Sequence, residues 1–77
     1  MNQSFQRLEK IAREHSMTPR FLREIVYYGA LGYKYNQIVE KVDCSETTVT
    51  NYRNKIREME EDEAAEIFQL VAEVKSS

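Results

Sequence analysis

The chain has 77 residues, of which 42% are hydrophobic and 31% charged, with two glycines, one proline and no tryptophan. This length suits one small domain, and scarce Gly and Pro with apolar residues at helical spacing predict an all-α bundle of four to five helices. No stretch reaches the roughly 18 apolar residues of a membrane span, and no apolar export signal follows Met1. Because the lone Cys44 forms no internal disulfide, we expect a reducing, cytoplasmic location and no membrane partner.

Charge is divided unevenly along the chain. The net charge is −2, yet residues 1–58 hold ten Lys or Arg against seven Asp or Glu, whereas residues 59–77 hold one against six. This division fits a mildly basic binding body followed by an acidic segment. Charged side chains also simply solvate helix surfaces, so charge alone favours neither interpretation.

Two helices are predicted in the first part of the chain. Apolar side chains within residues 5–12 recur at helical spacing, after Ser4 as a predicted N-cap. A second helix begins at Pro19, since the missing N–H of proline costs nothing in the first turn. Gly29 and Gly32 are predicted to end it.

Two short helical patterns follow, separated by three or four turn residues. The first covers Tyr35 to Val42, and the second runs from Ser45, its predicted N-cap, to Met59. This spacing is that of a helix-turn-helix. We therefore predict a helix-turn-helix domain over residues 1–59, with its motif at residues 35–58.

The run GYKYNQIVEKVDCSETTVTNY resembles the helix-turn-helix of LuxR/GerE-type response regulators and of sigma-factor region four. Their pattern is matched here at Gly32, Ile38, Ser45, Glu46, Thr48, Val49 and Asn51. Three positions depart from it: Asp43 replaces the usual turn glycine, Val39 an alanine and Tyr52 a histidine. The resemblance covers about a third of the chain. It implies a transcriptional regulator that binds double-stranded DNA.

Helical geometry divides the second helix of the motif into two faces. At about 100° per residue, Val49, Tyr52 and Ile56 gather opposite a surface rich in Thr and Asn. Asn can pair with adenine, and Thr can offer a hydroxyl to bases or a methyl to thymine. The predicted base contacts in the major groove are Thr47, Thr50, Asn51 and Asn54. The predicted phosphate contacts are Lys34, Tyr35, Asn36, Thr48, Arg53, Lys55 and Arg57.

Residues 60–77 are predicted to be helical, acidic at first and then amphipathic, and to be a candidate dimerisation element. The pattern allows residues 46–75 to form one helix or two helices hinged near Glu60 to Glu63. The apolar stripe either completes the monomer core or pairs with a second chain. We favour a homodimer because two half-sites raise affinity, and because this helix dimerises in the resembled regulators. The predicted dimer contacts are Ile67, Phe68, Val71 and Val74.

Residues for catalysis or metal binding do not form a recognisable set. One cysteine and a remote His15 make neither a metal site nor a catalytic pair, and so short a chain leaves little room for a substrate cavity. We therefore expect no enzyme, metal, cofactor or small-molecule effector. Two alternatives remain: a protein-interaction module that binds another regulator or a polymerase subunit, and a DNA-binding accessory factor of a mobile element.

Overall fold

Five α-helices make up the regular structure of residues 3–76, the part of the chain that the computed structural model describes. They are α1 (Gln3–Glu14), α2 (Pro19–Ala30), α3 (Tyr35–Val42), α4 (Glu46–Glu58) and α5 (Glu61–Ser76). No strand occurs among these residues, so the predicted all-α bundle is confirmed. Among them, too, no helix combines the length and apolar character that crossing a bilayer requires.

Helix α2 lies at the centre of the bundle and packs against each of the other four helices. The largest fully buried side chains come from all five helices. They are Leu8, Ile11, Leu22, Ile38, Val49 and Ile67. Since α5 contributes to this core, it packs as part of the same body as the helix-turn-helix rather than as a separate appendage.

The helix-turn-helix consists of α3, a three-residue turn and α4. Asp43 caps α3 in the left-handed conformation, with φ 59° and ψ 53°, which Asp adopts more readily than most residues. Ser45 then caps α4, because its Oγ accepts a hydrogen bond from Thr48 N at 3.1 Å. The predicted turn and the predicted N-cap are therefore both present.

The boundary between α4 and α5 decides a question that the sequence left open. Met59 has an extended backbone, with φ −71° and ψ 161°, so the chain turns there and residues 46–75 form two helices. This break lets α5 lie against α1 and α2 instead of continuing the axis of α4.

One predicted helix start is wrong, and the predicted end of α2 at Gly29 is shifted by one residue. Ser4 is not an N-cap: it lies inside α1, and its hydroxyl donates to Glu73 Oε1 at 2.6 Å, a partner distant in sequence. Gly29 lies within the last turn of α2, which ends at Ala30. The reversal falls instead at Gly32, whose φ of 89° suits glycine.

Candidate nucleic-acid interface

The polar face of α4 is open to solvent. It carries the four residues predicted to contact bases: Thr47, Thr50, Asn51 and Asn54, all exposed. On the opposite side of the same helix, Val49 and Tyr52 are buried in the core. Because α5 packs on α1 and α2, it leaves this face uncovered, and the four side chains share one accessible surface.

Tyr52 attaches α4 to the start of α2. Its hydroxyl accepts a hydrogen bond from the backbone N–H of Thr18 at 2.6 Å. Its ring meets that of Phe21 edge-on, with centroids 6.3 Å apart, a favourable aromatic geometry. This residue, which departs from the resembled pattern, holds α4 in place.

Lys55 attaches the other end of α4 to α1. Its ammonium donates to His15 O at 2.8 Å and is 3.4 Å from Ser16 O, carbonyls that follow the last residue of α1. A cation stabilises such a helix C-terminus through hydrogen bonds and the helix dipole. This corrects the prediction that Lys55 binds phosphate, because the ammonium already has partners within the chain. The sequence did not show this contact, since the partners lie about 40 residues away.

Tyr35 and Thr48 also have partners within the motif. The hydroxyl of Tyr35 donates to Glu46 O at 2.8 Å and lies 3.0 Å from Thr50 Oγ1. The hydroxyl of Thr48 is 2.9 Å from Ser45 Oγ. Both side chains are half-buried, so their first role is to hold α3, the turn and α4 together rather than to meet phosphate.

Arg53 and Arg57 are the exposed cationic residues of α4. Within residues 3–76 neither makes a hydrogen bond or an ion pair, and both lie beside the polar face. Lys34 and Asn36 are likewise exposed, at the start of α3. These four residues, all predicted phosphate contacts, therefore remain accessible to an external anion.

The acidic side chains of α5 are paired mainly with α1. Glu66 binds Arg7 at 3.1 Å, which raises the pKa of Arg7 through the hydrogen bond and charge of Glu66. Glu63 lies 3.1 Å from His15 Nε2. The negative charge of the C-terminal segment is therefore partly compensated on the side where α1 lies, and these carboxylates do not pair with Arg53 or Arg57.

The predicted dimer contacts separate into core and surface residues. Ile67 and Val71 are 0% and 2% exposed, so the prediction that they contact a second chain is corrected: they complete the monomer core because α5 turns its apolar stripe toward α1 and α2. Val74 is half-buried. Phe68, by contrast, is 46% exposed.

Two shallow depressions adjoin Phe68. One, of about 580 Å³, lies between α2, the end of α4 and α5. The other, of about 360 Å³, lies between α2 and the end of α5. Val26 and Phe68 border both, so an apolar surface continues along the junction of α2 and α5.

Neither a metal site nor an activated thiol is evident in the part of the chain described. Among residues 3–76, no group of three or more His, Cys, Asp or Glu side chains is placed to hold a metal ion. Burial raises the pKa of the Cys44 thiol, and the neighbouring charge of Asp43 adds to this effect. A raised pKa is the opposite of what a nucleophilic cysteine requires.

The chain matches no family model, no curated protein and no solved structure. Its relation to the LuxR/GerE helix-turn-helix therefore remains a resemblance of motif residues.

Proposed function

We propose that this protein binds double-stranded DNA in the cytoplasm as a sequence-specific transcriptional regulator, with α4 in the major groove. The observation that supports this most directly is the bare Thr and Asn face of α4 on a helix-turn-helix scaffold. A major groove is wide enough for an α-helix, and its base edges offer donors, acceptors and methyl groups that Thr and Asn can contact.

Phosphate binding is assigned to a smaller set than the sequence predicted. Arg53 and Arg57 flank the reading face, and Lys34 and Asn36 lie at the N-terminus of α3. Contacts of this kind orient a protein on the duplex without reading sequence. Lys55 is left out because it binds α1.

We further propose that the protein acts as a homodimer through the outer face of α5. Phe68 is exposed and lies beside the depression between α2 and the end of α5. The other depression is also lined by Arg53 and Arg57, which are assigned here to DNA. A two-fold axis near Phe68 would seat this ring of each copy against the corresponding surface of the other, which is the contact that a symmetric dimer makes. Two recognition helices would then read half-sites about 34 Å apart.

The dipole of α5 favours an antiparallel second copy, because antiparallel packing brings opposite helix ends together. Glu61 and Asp62 in the first turn would then face the C-terminal end of the other α5, whereas Lys75 is already paired with Glu24 at 3.0 Å within the chain. Ala65 and Ala72 are exposed on either side of the midpoint, and their small side chains allow two helices to approach closely.

The test is a binding titration against a pooled random duplex at several salt concentrations. The wild-type protein is expected to bind at low salt and to weaken steeply as salt rises. Arg53→Ala and Arg57→Ala should each lower the slope of log K against log salt by about 1. Lys10→Ala is the matched control, because it removes one exposed cation from α1 and should leave the slope unchanged.

Two results would contradict the proposal. Absence of binding at low salt would favour the protein-interaction module instead. An equal decrease of the salt slope for Lys10→Ala would show that the protein attracts DNA through its overall charge and not through one defined face.

A further inference from the structure

The hydrogen bonds between α3 and α4 have a fixed direction. Tyr35 Oη lies 2.8 Å from Glu46 O, and a carbonyl oxygen can only accept. The tyrosine hydroxyl therefore donates its one hydrogen bond to this carbonyl. Since Tyr35 Oη is also 3.0 Å from Thr50 Oγ1, the proton between these two hydroxyls must come from Thr50.

Because the Thr50 hydroxyl donates its one hydrogen bond to Tyr35, it cannot donate to another group. A threonine hydroxyl has one donor and two acceptor sites. In a helix it otherwise donates to the carbonyl four residues earlier, which here is that of Glu46. Tyr35 donates a hydrogen bond to that carbonyl and accepts one from the Thr50 hydroxyl, while the side chain of Thr50 stays exposed. Toward a base, the Thr50 oxygen can therefore act only as an acceptor.

We propose that Tyr35 is a positioning residue that makes Thr50 a hydrogen-bond acceptor, and that Thr50 consequently favours adenine or cytosine and disfavours guanine at the base it contacts. In the major groove adenine and cytosine present amino donors, whereas guanine presents only acceptors, N7 and O6. The inference rests on the proposed DNA-binding function and adds the direction of one hydrogen bond, that between Thr50 and a base. It reassigns Tyr35 from phosphate binding to control of specificity.

The experiment is selection of bound sequences from a random duplex library by the full chain. Wild type, Tyr35→Phe and Thr50→Val are compared by sequencing. The base contacted by Thr50 is the position whose preference changes in Thr50→Val, which keeps the shape of threonine but lacks its hydroxyl. There, wild type should disfavour guanine roughly fivefold, the ratio that corresponds to one hydrogen bond. Tyr35→Phe should weaken the discrimination against guanine at that position and leave other positions unchanged, because the Thr50 hydroxyl can then donate either to the Glu46 carbonyl or to guanine.

Thr50→Ser gives a second measurement that does not depend on the folding of the tyrosine variant. It keeps the hydroxyl and its bond to Tyr35 but loses the methyl group, so it should discriminate against guanine as wild type does. Circular dichroism establishes that each variant is helical before selection.

The outcomes separate the two proposals. If wild type selects no sequence, sequence-specific DNA binding itself fails. If wild type selects a site but Tyr35→Phe leaves the preference unchanged, or weakens all positions alike, Tyr35 only docks α4 and this inference is overturned. A site on which Thr50→Val changes no position, or on which Thr50→Ser accepts guanine, overturns it as well.

Discussion

Asn51 and Asn54 are adjacent amides on the exposed face of α4. Asn51→Ala or Asn54→Ala should weaken binding to the preferred duplex by about 1–3 kcal/mol and barely change binding to random duplex, because an amide can make a bidentate pair with adenine. Fluorescence anisotropy with both duplexes measures the difference. Gln3→Ala removes an exposed amide from α1 and should change neither affinity. Equal losses on both duplexes would instead assign these asparagines to the DNA backbone.

Lys55 provides a residue-scale test of the distinction between structure and binding. Lys55→Met keeps most of the aliphatic packing but loses the bond to His15 O, so the free energy of unfolding should fall by about 1 kcal/mol. The salt slope of DNA binding should stay that of wild type. Urea unfolding followed by circular dichroism, with the salt titration, measures both quantities.

Arg57→Met is the matched control for Lys55→Met. Its guanidinium has no partner within residues 3–76, so stability should change by less than about 0.5 kcal/mol, while the salt slope falls by about 1. The opposite pairing, in which Lys55→Met lowers the slope and spares stability, would return Lys55 to the phosphate set.

At the scale of helices, α5 has an inner and an outer face that substitutions can separate. Ile67→Ala should lower the free energy of unfolding by about 2–5 kcal/mol, because Ile67 is fully buried. Phe68→Ala should cost much less, since nearly half of Phe68 is exposed. Urea unfolding compares the two. A small effect of Ile67→Ala, or a separate early transition of α5, would show that this helix is not part of the shared core.

The attachment of α4 explains why the helix-turn-helix needs the N-terminal helices. Tyr52 binds the N–H of Thr18 at the start of α2, and Lys55 binds carbonyls at the end of α1. The two contacts lie on the side of α4 that faces the protein. They hold α4 to the bundle while leaving Asn51 and Asn54 exposed.

For the whole molecule, the proposed dimer makes self-association depend on Phe68. Phe68→Ser should shift the sedimentation profile from dimer toward monomer at micromolar concentration, because the exposed ring is the central apolar contact of the proposed interface. Phe5→Ser, at a partly exposed phenylalanine of α1, is the control and should sediment as wild type does. A wild-type protein that remains monomeric at all concentrations would contradict the dimer.

Local patterns predicted much of the architecture and of the exposed face. The spacing of Val49 and Tyr52 placed α4 against the core, and so placed Asn51 and Asn54 on the exposed side, because helix periodicity relates residues a few positions apart. The cap at Ser45 and the turn at Asp43 are equally local. These features follow from steric and hydrogen-bonding preferences of short segments.

The residues that were assigned wrongly are those whose partners are distant in sequence. Ser4 binds Glu73, and Lys55 binds His15 O. Ile67 and Val71 are buried because α5 packs on α1 and α2, although their stripe is equally compatible with a second chain. Periodicity determined from the sequence alone that the chain would form four to five helices and which face of each is apolar. Only the tertiary structure decided what each apolar face covers and which polar groups remain unpaired, because those partners are brought together by packing and not by spacing along the chain.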